Sequence, residues 1–402
     1  MEQYDVLVVG AGPSGSAAAR KCTDGGLKTL QIDKQKLPRR KACSGIIANV
    51  TQNYVFTNFG PIPESAYGKP YVSKGMAMHF PSFGTVFGDC DCYNLYVWRD
   101  KFDYFLAENS GAKLEDQTSF VSLKHNEKDI EVTVKHKGKK RNIRTKYLIG
   151  ADGGRSKVIL RYAPEVYSGM QWVWACQKYF EGTIDANEYY LYWFLEKGFG
   201  PMPWLNIKDG QIIIGLAHIP GYKFSVLYAN LIAYLKKNFG LKIKRELAIE
   251  GCYANSMTPM NRFFPGRGRV LMVGDAMGLQ HQGGEGISCG MISGGHAGQA
   301  VLEDIKGKAE ALRLYKKLVM PEIETCLDQF NPLRMTKTVA SGAYRQPPFL
   351  RNFNFFQKTK MLGEAMSFVG SEFGVVKGML PVLLKNTVRR SITGKYKIGI
   401  VE

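Results

Sequence analysis

Residues 4–15 read YDVLVVGAGPSG, and alanines at 17–19 follow this stretch. An apolar strand that runs into a glycine turn and then into a helix is the arrangement that holds a dinucleotide. In this turn Gly10 permits the tight bend, Gly12 lets the backbone approach a pyrophosphate, and Gly15 lets the helix pack against the strand. The stretch therefore predicts an α/β fold that opens with a dinucleotide site.

The residues that follow complete this predicted site. Pro13 and Ser14 stand at the start of the helix, where unpaired N–H groups and a partial positive charge favour phosphate. A second apolar run at 29–32 ends at Asp33, whose carboxylate can accept hydrogen bonds from a ribose diol. Strand, turn, helix, strand and acid in this order favour a bound dinucleotide over a plain structural turn.

Two later segments share the pattern of a strand that breaks into a glycine-rich turn around an aspartate. Residues 147–158 read YLIGADGGRSKV, with Asp152 in the turn. Residues 268–276 read GRVLMVGDA, with Asp275 in the turn, and GGEGI follows at 283–287. An extended polyol needs an acceptor where a strand meets a helix, and a helix N-terminus can face a group on which negative charge develops.

With these three motifs in this order, the chain resembles the p-hydroxybenzoate hydroxylase-like FAD proteins. The resemblance implies an α/β fold in which a Rossmann-like FAD-binding domain of the glutathione-reductase type is interleaved with an antiparallel-sheet substrate domain, plus a helical C-terminal region. It implies that the first turn binds the ADP half of FAD and that Asp275 contacts the ribityl chain, while Asp152 belongs to the Asp-Gly motif. Gly284, Gly286 and Ile287 would then face the N1–C2 carbonyl of the flavin.

The resemblance also implies how the chain is divided. The predicted ranges are 1–70, 96–160 and 262–320 for the FAD-binding domain, 71–95 and 161–261 for the substrate domain, and 321–402 for the helical C-terminal region. A length of 402 residues with 45% hydrophobic content is enough for two or three domains with a large core.

Local patterns predict three further elements. Alternating residues at 131–135 predict a half-buried strand, and the β-branched run at 212–214 predicts a buried one. Apolar residues at helical spacing predict an amphipathic helix over 225–237.

The segment VWRDKFD at residues 97–103 resembles the family segment in which an arginine reaches the FAD pyrophosphate. Arg99 suits that charge because a guanidinium can donate two parallel hydrogen bonds to phosphate oxygens. The alternative is the start of a surface helix that carries acids in its first turn. By the same resemblance, Lys34 and Val121 are expected to contact FAD.

A narrower resemblance rests on KACSGII at residues 41–47. It is similar to the Cys-Gly element of the geranylgeranyl reductases, the branch that saturates the double bonds of prenyl chains. The resemblance puts Cys43 beside the flavin, with Ser44 and Gly45 also contacting the cofactor, and makes Cys43 a candidate proton donor or flavin-side wall. Taken alone, a cysteine here would be read as a small buried hydrophobe.

The segment YLYWFL at residues 190–195 tests that branch. Geranylgeranyl reductases carry Tyr-x-Trp-x-Phe-Pro on a substrate-domain strand, and here Tyr192 replaces the tryptophan and Leu195 the proline. Period-two spacing puts Tyr190, Tyr192 and Phe194 on one face of a strand. That face could wall an apolar tunnel, which would give Tyr190 and Tyr192 a place in catalysis, or it could be sheet core packed against a helix.

The net charge of +19 calls for an anionic partner. No nucleic-acid fold signature is present, so nucleic acid is not expected. From Phe349 to Arg390 aromatic and aliphatic residues alternate with cations, a composition typical of segments that lie on an anionic membrane surface. The alternative is a helical cap on the substrate domain. No apolar run approaches the roughly 20 residues that span a bilayer, so a cytoplasmic protein on a peripheral membrane surface is predicted.

The eight cysteines and six histidines predict no metal site. Only Cys90 and Cys92 lie close together, and no second pair stands at zinc-ligand spacing. The role of that pair stays open, and the scattered cysteines favour a reducing compartment. His281 falls near the predicted flavin ring, but a plain loop histidine is the simpler interpretation.

These features favour a reductase of prenyl double bonds that uses FAD. Because only one full dinucleotide turn is present, electrons would come from transiently bound NAD(P)H or from ferredoxin. The substrate would be a prenylated lipid or a prenyl diphosphate. An aromatic hydroxylase or halogenase remains open, although WVW at 172–174 is followed by Ala175 and Cys176 and so lacks the full halogenase signature. A quinone-reducing electron-transfer flavoprotein would need an iron–sulfur cysteine set that the chain lacks.

Overall fold

The structure is a computed structural model of the 402-residue chain. It describes residues 1–82, 84–126, 128–196, 198–200, 202–218, 223–255, 257–331 and 379–402. Its described strands are β1 (Glu2–Val9), β2 (Thr29–Ile32), β3 (Ile46–Ile47), β4 (Tyr67–Phe80), β5 (Gly84–Val97), β6 (Lys113–Glu115), β7 (Thr118–His125), β8 (Ile130–His136), β9 (Lys139–Gly150), β10 (Trp172–Thr183), β11 (Tyr190–Phe194), β12 (Trp204–Lys208), β13 (Gln211–His218), β14 (Lys242–Asn255), β15 (Gly266–Arg267) and β16 (Val270–Met272).

The described helices are α1 (Pro13–Asp24), α2 (Asn49–Phe59), α3 (Arg99–Glu108), α4 (Lys157–Tyr162), α5 (Pro164–Ser168), α6 (Phe224–Asn238), α7 (Ile287–Ile305), α8 (Ala311–Gln329) and α9 (Met379–Thr393). Short 3₁₀ turns at Glu64–Ala66, Gly274–Ala276 and Gln282–Gly284 complete the elements. The predicted strands at 131–135 and 212–214 and the predicted helix at 225–237 are confirmed as β8, β13 and α6.

The first sheet has a parallel centre in the order β16–β9–β1–β2–β6. β15 pairs antiparallel with β16 at one edge, and the β7–β8 hairpin joins through β9. Residues 6–9 of β1 and 147–149 of β9 are apolar and buried, because both faces of a parallel sheet are covered there. The α/β fold predicted from the opening glycine turn is confirmed, and that turn lies where β1 leads into α1.

The second sheet has the order β14–β10–β13–β12–β11–β4–β5–β3. Every pair in it is antiparallel except β11 with β4. Helix α6 covers one face, where Leu227, Leu231 and Leu235 pack against apolar strand residues. The opposite face turns toward the loop that contains Cys43.

Helix α7 crosses α1 at very close range. A Cβ atom on Gly294 would lie 2.1 Å from the backbone oxygen of Ser14, and one on Gly290 would lie 2.4 Å from the Ser14 hydroxyl. The small residues from 288 to 300 are therefore needed for this crossing. The contact fixes α7, which follows the Asp275 motif, against the helix that follows the first glycine turn.

The two sheets are interleaved in sequence, as two interleaved domains would require. Residues 46–47, which fall in the predicted FAD segment 1–70, pair with β5 in the second sheet. The exact domain boundaries stay a prediction. Of the predicted C-terminal region, the structure describes α8, α9 and the final residues, whose Val401 N–H donates to Phe263 O. Residues 332–378, which hold most of the predicted membrane segment, lie outside the described residues, and within the described part no helix has the length and apolarity to cross a bilayer.

Candidate active site

The first glycine turn has the geometry that a pyrophosphate site requires. Gly10 has a φ of 119°, and a Cβ there would lie 2.3 Å from Ala151 O. A Cβ on Gly15 would lie 2.1 Å from Gly10 O. Helix α1 begins with Gly12 as its N-cap and Pro13 in its first turn, and no side chain caps it. The N–H groups at the start of α1 are thus left for a ligand, and the turn fits the phosphates of FAD.

Asp33 ends β2 beside this turn. Its carboxylate accepts hydrogen bonds from the Ala11 N–H and from Arg39 Nε, each at 3.1 Å. The Arg39 guanidinium also reaches over the turn, since a Cβ on Gly12 would lie 3.4 Å from its Nη2. Arg39 is a pyrophosphate candidate that the sequence did not single out, because it stands in a basic loop with no motif around it.

Arg99 and Arg39 share one buried acid. Arg99 pairs with Asp103 through Nε and Nη2 at 2.8 and 3.0 Å, and Arg39 Nη1 lies 3.3 Å from the same carboxylate. Asp103 has no exposed surface and Arg99 is 8% exposed. The alternative of a surface helix start therefore does not describe Arg99 and Asp103, because both are buried in α3. Whether Arg99 also reaches the FAD pyrophosphate stays a prediction.

The Cys43 loop, residues 42–45, lies between α3 and the second sheet. The Gly45 N–H points at the Cys43 sulfur at 3.4 Å, and the Arg99 guanidinium lies near the same side chain. From the sheet, Gln177 Nε2 donates to Cys43 O at 3.2 Å and Asn206 Nδ2 donates to Ser44 O at 3.4 Å. Cys43 and Arg99, predicted from separate motifs, are thus brought together.

Two buried carboxamide oxygens at this loop lack a partner. Among the described residues, neither Gln177 Oε1 nor Asn206 Oδ1 accepts a hydrogen bond, although both atoms are buried. A buried polar group without a partner costs on the order of 1–3 kcal/mol. Such atoms are expected where a polar ligand completes the site, and the ring edge of a flavin offers the donors they need.

Lys208 is a buried cation at the same interface. It is 1% exposed, its ammonium donates to Val97 O at 3.0 Å, and it lies 4.3 Å from the centre of the Trp98 ring. Burial lowers the pKa of Lys208 to about 8. The sequence did not reveal it, although a lysine at the end of the largely apolar strand WLNIK was a usable signal.

The two later aspartates have different settings. Asp152 Oδ2 accepts from the N–H groups of Lys157 and Val158 at 2.6 and 3.1 Å, while its buried Oδ1 has no partner among the described residues. Burial raises the pKa of Asp275, and the cations of Lys41 and Arg99 oppose that shift. Asp275 therefore lies near the residues around the Cys43 loop.

The start of α7 differs from the expected arrangement. Glu285 accepts from the N–H groups of Ile287 and Ser288 at 2.8 and 2.9 Å. The N–H groups predicted to face the flavin carbonyl are therefore occupied by this side chain, and a flavin contact at Ile287 requires Glu285 to move. Gly286 stays next to Asp275, since a Cβ on it would lie 3.2 Å from Oδ1.

Tyr190 and Tyr192 lie on the face of the second sheet that is covered by α6. Tyr192 is 3% exposed, packs with Phe194 and Phe239, and accepts a hydrogen bond from the Asn187 N–H at 2.8 Å. The hydroxyl of Tyr190 donates to Asp89 at 2.5 Å. The structure does not bring either tyrosine to the Cys43 loop, and it matches the alternative of sheet core packed against a helix.

The structure gives little information on three other predicted FAD contacts, those of Lys34, Val121 and Gly284. Lys34 is exposed. Val121 is half-buried at the bulge where β7 skips one residue of its ladder with β8. Gly284 has a φ of 78° and lies in the turn before α7. Their contacts with FAD stay predictions.

A cavity of about 270 Å³ opens beside the Cys43 loop. Its lining residues are mostly charged or aromatic, namely Arg40, Lys41, Trp98, Arg99, Asp100, Lys101, Tyr179, Asp209, Gln211 and Glu250. Asp209 accepts a hydrogen bond from the Trp98 indole at 2.6 Å and Glu250 accepts one from the Tyr179 hydroxyl at 2.8 Å, and both donors are neutral. Four cations against three carboxylates leave the lining with a net charge of +1.

The fold and these motifs agree with a family match. A model described as an FAD binding domain matches residues 3–316. The chain belongs to this FAD-binding family. Its cofactor is FAD, as the opening turn and the two aspartate motifs predicted.

The chain is also similar to two archaeal proteins that are named as lipid reductases. The digeranylgeranylglycerophospholipid reductase of Methanococcus vannielii is 29% identical over 323 residues, which are 76% of this chain and 79% of the relative. That of Methanocaldococcus jannaschii is 28% identical over 74% of this chain and 78% of the relative. The predicted resemblance to the geranylgeranyl reductases is confirmed, and the protein is a flavin-dependent oxidoreductase.

A solved structure supports the fold. A geranylgeranyl bacteriochlorophyll reductase-like protein from Thermoplasma acidophilum has a TM-score of 0.68 with this chain at 20% identity. The match covers 95% of this chain and all of the other. The predicted combination of an FAD-binding domain with a second sheet is therefore a known architecture.

Proposed function

We propose that the protein is an FAD-dependent reductase that saturates C=C double bonds in geranylgeranyl chains of membrane lipids or their phosphorylated precursors. The single observation that carries the proposal is the Cys43 loop. Its backbone is held by Gln177 and Asn206 from the second sheet, and its thiol contacts Arg99. The names of the reductase relatives support the same substrate class.

FAD would be held by the first glycine turn, by Asp33 and Arg39 at the ADP half, and by Asp275 nearer the Cys43 loop. When bound and reduced, FAD supplies the hydride that an isolated alkene must receive. Because such an alkene has no carbonyl to polarise, the protein contributes mainly position and exclusion of water. The partnerless oxygens of Gln177 and Asn206 would fix the cofactor against the Cys43 loop.

Cys43 is the proposed proton donor to the second alkene carbon. The Gly45 N–H points at its sulfur at 3.4 Å and the Arg99 guanidinium lies near it, which supports a thiol held beside a cation. Arg99 is held in turn by the buried Asp103 carboxylate. These contacts support a thiol that is positioned for transfer to a substrate on the sheet side of the loop.

The prenyl chain would lie against the face of the second sheet that is turned toward the Cys43 loop. Across that face the register aligns Gln177 with Gly215, Gly215 with Trp204, Trp204 with Trp193, and Trp193 with Met78. Residues paired in register point to the same face, so Trp193 and Met78 share the side of Gln177. We therefore assign the apolar wall to Trp193, Met78 and Trp204 in place of Tyr190 and Tyr192.

The charged cavity would take the polar end of the substrate. Arg40, Lys41, Arg99 and Lys101 line it together with Asp100, Asp209 and Glu250, an excess of one cation, and Arg40 pairs with Glu250 at 3.7 Å. A net positive lining suits a phosphate group. This arrangement supports a phospholipid or a prenyl diphosphate over an uncharged prenyl substrate.

A membrane surface is the proposed source of a lipid substrate. On α9 the side chains of Leu384, Val388 and Ile392 are 50%, 55% and 79% exposed, and they recur every four residues. Lys385 and Arg389 are exposed beside them. An apolar stripe with flanking cations is typical of a helix that lies in the interface of an anionic membrane. The reductant is proposed to be NAD(P)H or ferredoxin, since the sequence has one dinucleotide turn and FAD fills it.

Anaerobic reduction of a geranylgeranyl lipid tests the proposal. Protein reduced with dithionite is incubated with the lipid, and the product mass is measured. The proposal expects a gain of one hydrogen pair for each double bond reduced. Oxygen-dependent oxidation of an added aromatic compound, with no mass gain by the lipid, would favour the hydroxylase or halogenase alternative and overturn the proposal.

A further inference from the structure

Four side chains with metal-binding atoms meet behind the start of α7. They are His281, Cys289 in the first turn of α7, and Glu322 and Cys326 on α8. Their ligand atoms, one from each residue, all lie within 4.8 Å of one another. Both cysteines are fully buried, and none of the four residues has a part in the proposed reaction.

The positions explain why the sequence predicted no metal site. Glu322 and Cys326 are four residues apart, so they share one face of α8. Cys289 and His281 come from the segment that packs on that face, about forty residues earlier in the chain. No pair of cysteines stands at a familiar spacing, and only the packing of α8 on α7 assembles the set.

The donor set suits a thiophilic divalent cation. Two thiolates, an imidazole and a carboxylate are ligand types of tetrahedral zinc, with bonds of roughly 2.0–2.3 Å. Such bonds separate neighbouring ligand atoms by roughly 3.3–3.8 Å in a tetrahedron. The observed limit of 4.8 Å is within about 1 Å of that arrangement. His281 Nε2 already lies 2.8 Å from Glu322 Oε1, so these two ligands need little change.

The histidine is also oriented for coordination. Its Nε2 points at Glu322, 2.8 Å from Oε1, while its Nδ1 lies 2.7 Å from the Gln329 carboxamide nitrogen. A metal-bound histidine donates its second ring N–H to an acceptor, so coordination through Nε2 requires the ring proton on Nδ1 and the Gln329 amide turned over to present its oxygen. Four protein ligands would leave no open position, which is the property of structural rather than catalytic zinc.

We propose that His281, Cys289, Glu322 and Cys326 form a closed structural site for one zinc ion. The ion ties α8 and the loop at 281 to the first turn of α7, the helix that follows the FAD-binding Asp275 motif. The proposal does not depend on the substrate, because it concerns only the packing of α7 and α8. Binding releases the protons of the two thiols to solvent.

Cobalt substitution tests the site. The FAD-loaded protein, with its cysteine thiols reduced, is freed of bound metal with a chelator and then titrated with Co²⁺ alone. We expect saturation at one Co²⁺ per chain, with a thiolate-to-cobalt charge-transfer band and the visible bands of tetrahedral Co²⁺, and displacement of the colour by Zn²⁺. Cys326→Ser should abolish the charge-transfer band or strongly weaken it, whereas Cys22→Ser, which changes a buried cysteine elsewhere, should keep it.

A second ligand variant covers the case in which the first one fails to fold. If Cys326→Ser does not fold, Glu322→Gln, which alters a partly exposed ligand, should weaken Co²⁺ binding at least tenfold. A band that is absent from the reduced wild type, or that is unchanged in the ligand variants, would overturn the proposal. So would a Cys289–Cys326 disulfide that, once reduced, leaves a protein without affinity for Co²⁺.

Discussion

Lys208 shows how one residue ties stability to the candidate site. Its ammonium is buried between the Cys43 loop and the second sheet, where it reaches Val97 O and the Trp98 ring. Burial penalises the charged form and lowers the pKa of Lys208 from 10.5 to about 8. The folded protein therefore holds this proton more weakly than the unfolded chain does.

The pH dependence of stability follows from that difference. Below pH 8 both states carry the proton, so the cost of burying the charge is constant. Between about pH 8 and 10.5 the unfolded chain binds more protons, so the free energy of unfolding rises with pH, by up to about 3 kcal/mol. Lys208→Met should lack this contribution, and the difference between variant and wild type in urea unfolding should change across that window. A constant difference would contradict the assignment.

Cys43 can be tested at the same scale. Cys43→Ala should leave FAD bound, because the pyrophosphate turn is untouched, and should slow alkene reduction by about a hundredfold or more if the thiol donates the proton. Cys176→Ala is the matched control, since Cys176 pairs with Leu216 on the sheet face covered by α6. Wild-type turnover by Cys43→Ala would remove the thiol from the mechanism.

Among the secondary-structure elements, strand β11 shows that sequence can predict which residues share a face but not which face turns toward the site. Period-two spacing correctly put Tyr190, Tyr192 and Phe194 on one face. It could not tell which face turns toward the site, because α6 covers one side of the sheet and the Cys43 loop the other. Both faces of β11 carry aromatic side chains, so residue composition does not distinguish one face from the other.

The two faces of β11 should respond differently to substitution. Tyr192→Ala opens a cavity under α6 and should lower the free energy of unfolding by about 3–5 kcal/mol. Trp193→Ala should cost less stability but should reduce kcat/KM for a prenyl substrate by roughly tenfold or more, because apolar contact is lost. Urea unfolding and steady-state kinetics measure the two effects. A kinetic defect in Tyr192→Ala but not in Trp193→Ala would place the prenyl chain on the α6 face and contradict the assignment.

For the whole molecule, the sequence motifs identified the cofactor as FAD but missed part of the candidate site. The Gly10–Gly15 turn, Asp33 and Asp275 could be recognised because backbone turns need glycine and ribose needs an acceptor. Gln177, Asn206 and Lys208 could not, because polar residues scattered along mostly apolar strands form no recognisable motif. They meet the Cys43 loop only after two sheets from interleaved segments come together.

The net charge of +19 and the stripe on α9 make a prediction for the molecule as a whole. The protein should sediment with vesicles that contain phosphatidylglycerol, less with phosphatidylcholine alone, and less at high salt. Leu384→Asp with Ile392→Asp should weaken the binding severalfold. Val226→Asp, which alters an exposed apolar side chain on α6, is the control. Equal binding by both variants would argue against α9 as the contact.

In the proposed reaction, reduced FAD at the Cys43 loop gives its electrons to a prenyl alkene. Rapid anaerobic mixing of reduced protein with a geranylgeranyl lipid measures this electron transfer, because the absorbance of oxidised flavin reports each turnover. We expect that absorbance to return with the unsaturated lipid and to stay absent with its fully saturated counterpart. If the absorbance of oxidised flavin returns only when oxygen is admitted, whichever lipid is present, reduced FAD does not transfer its electrons to the prenyl alkene and the proposal is wrong.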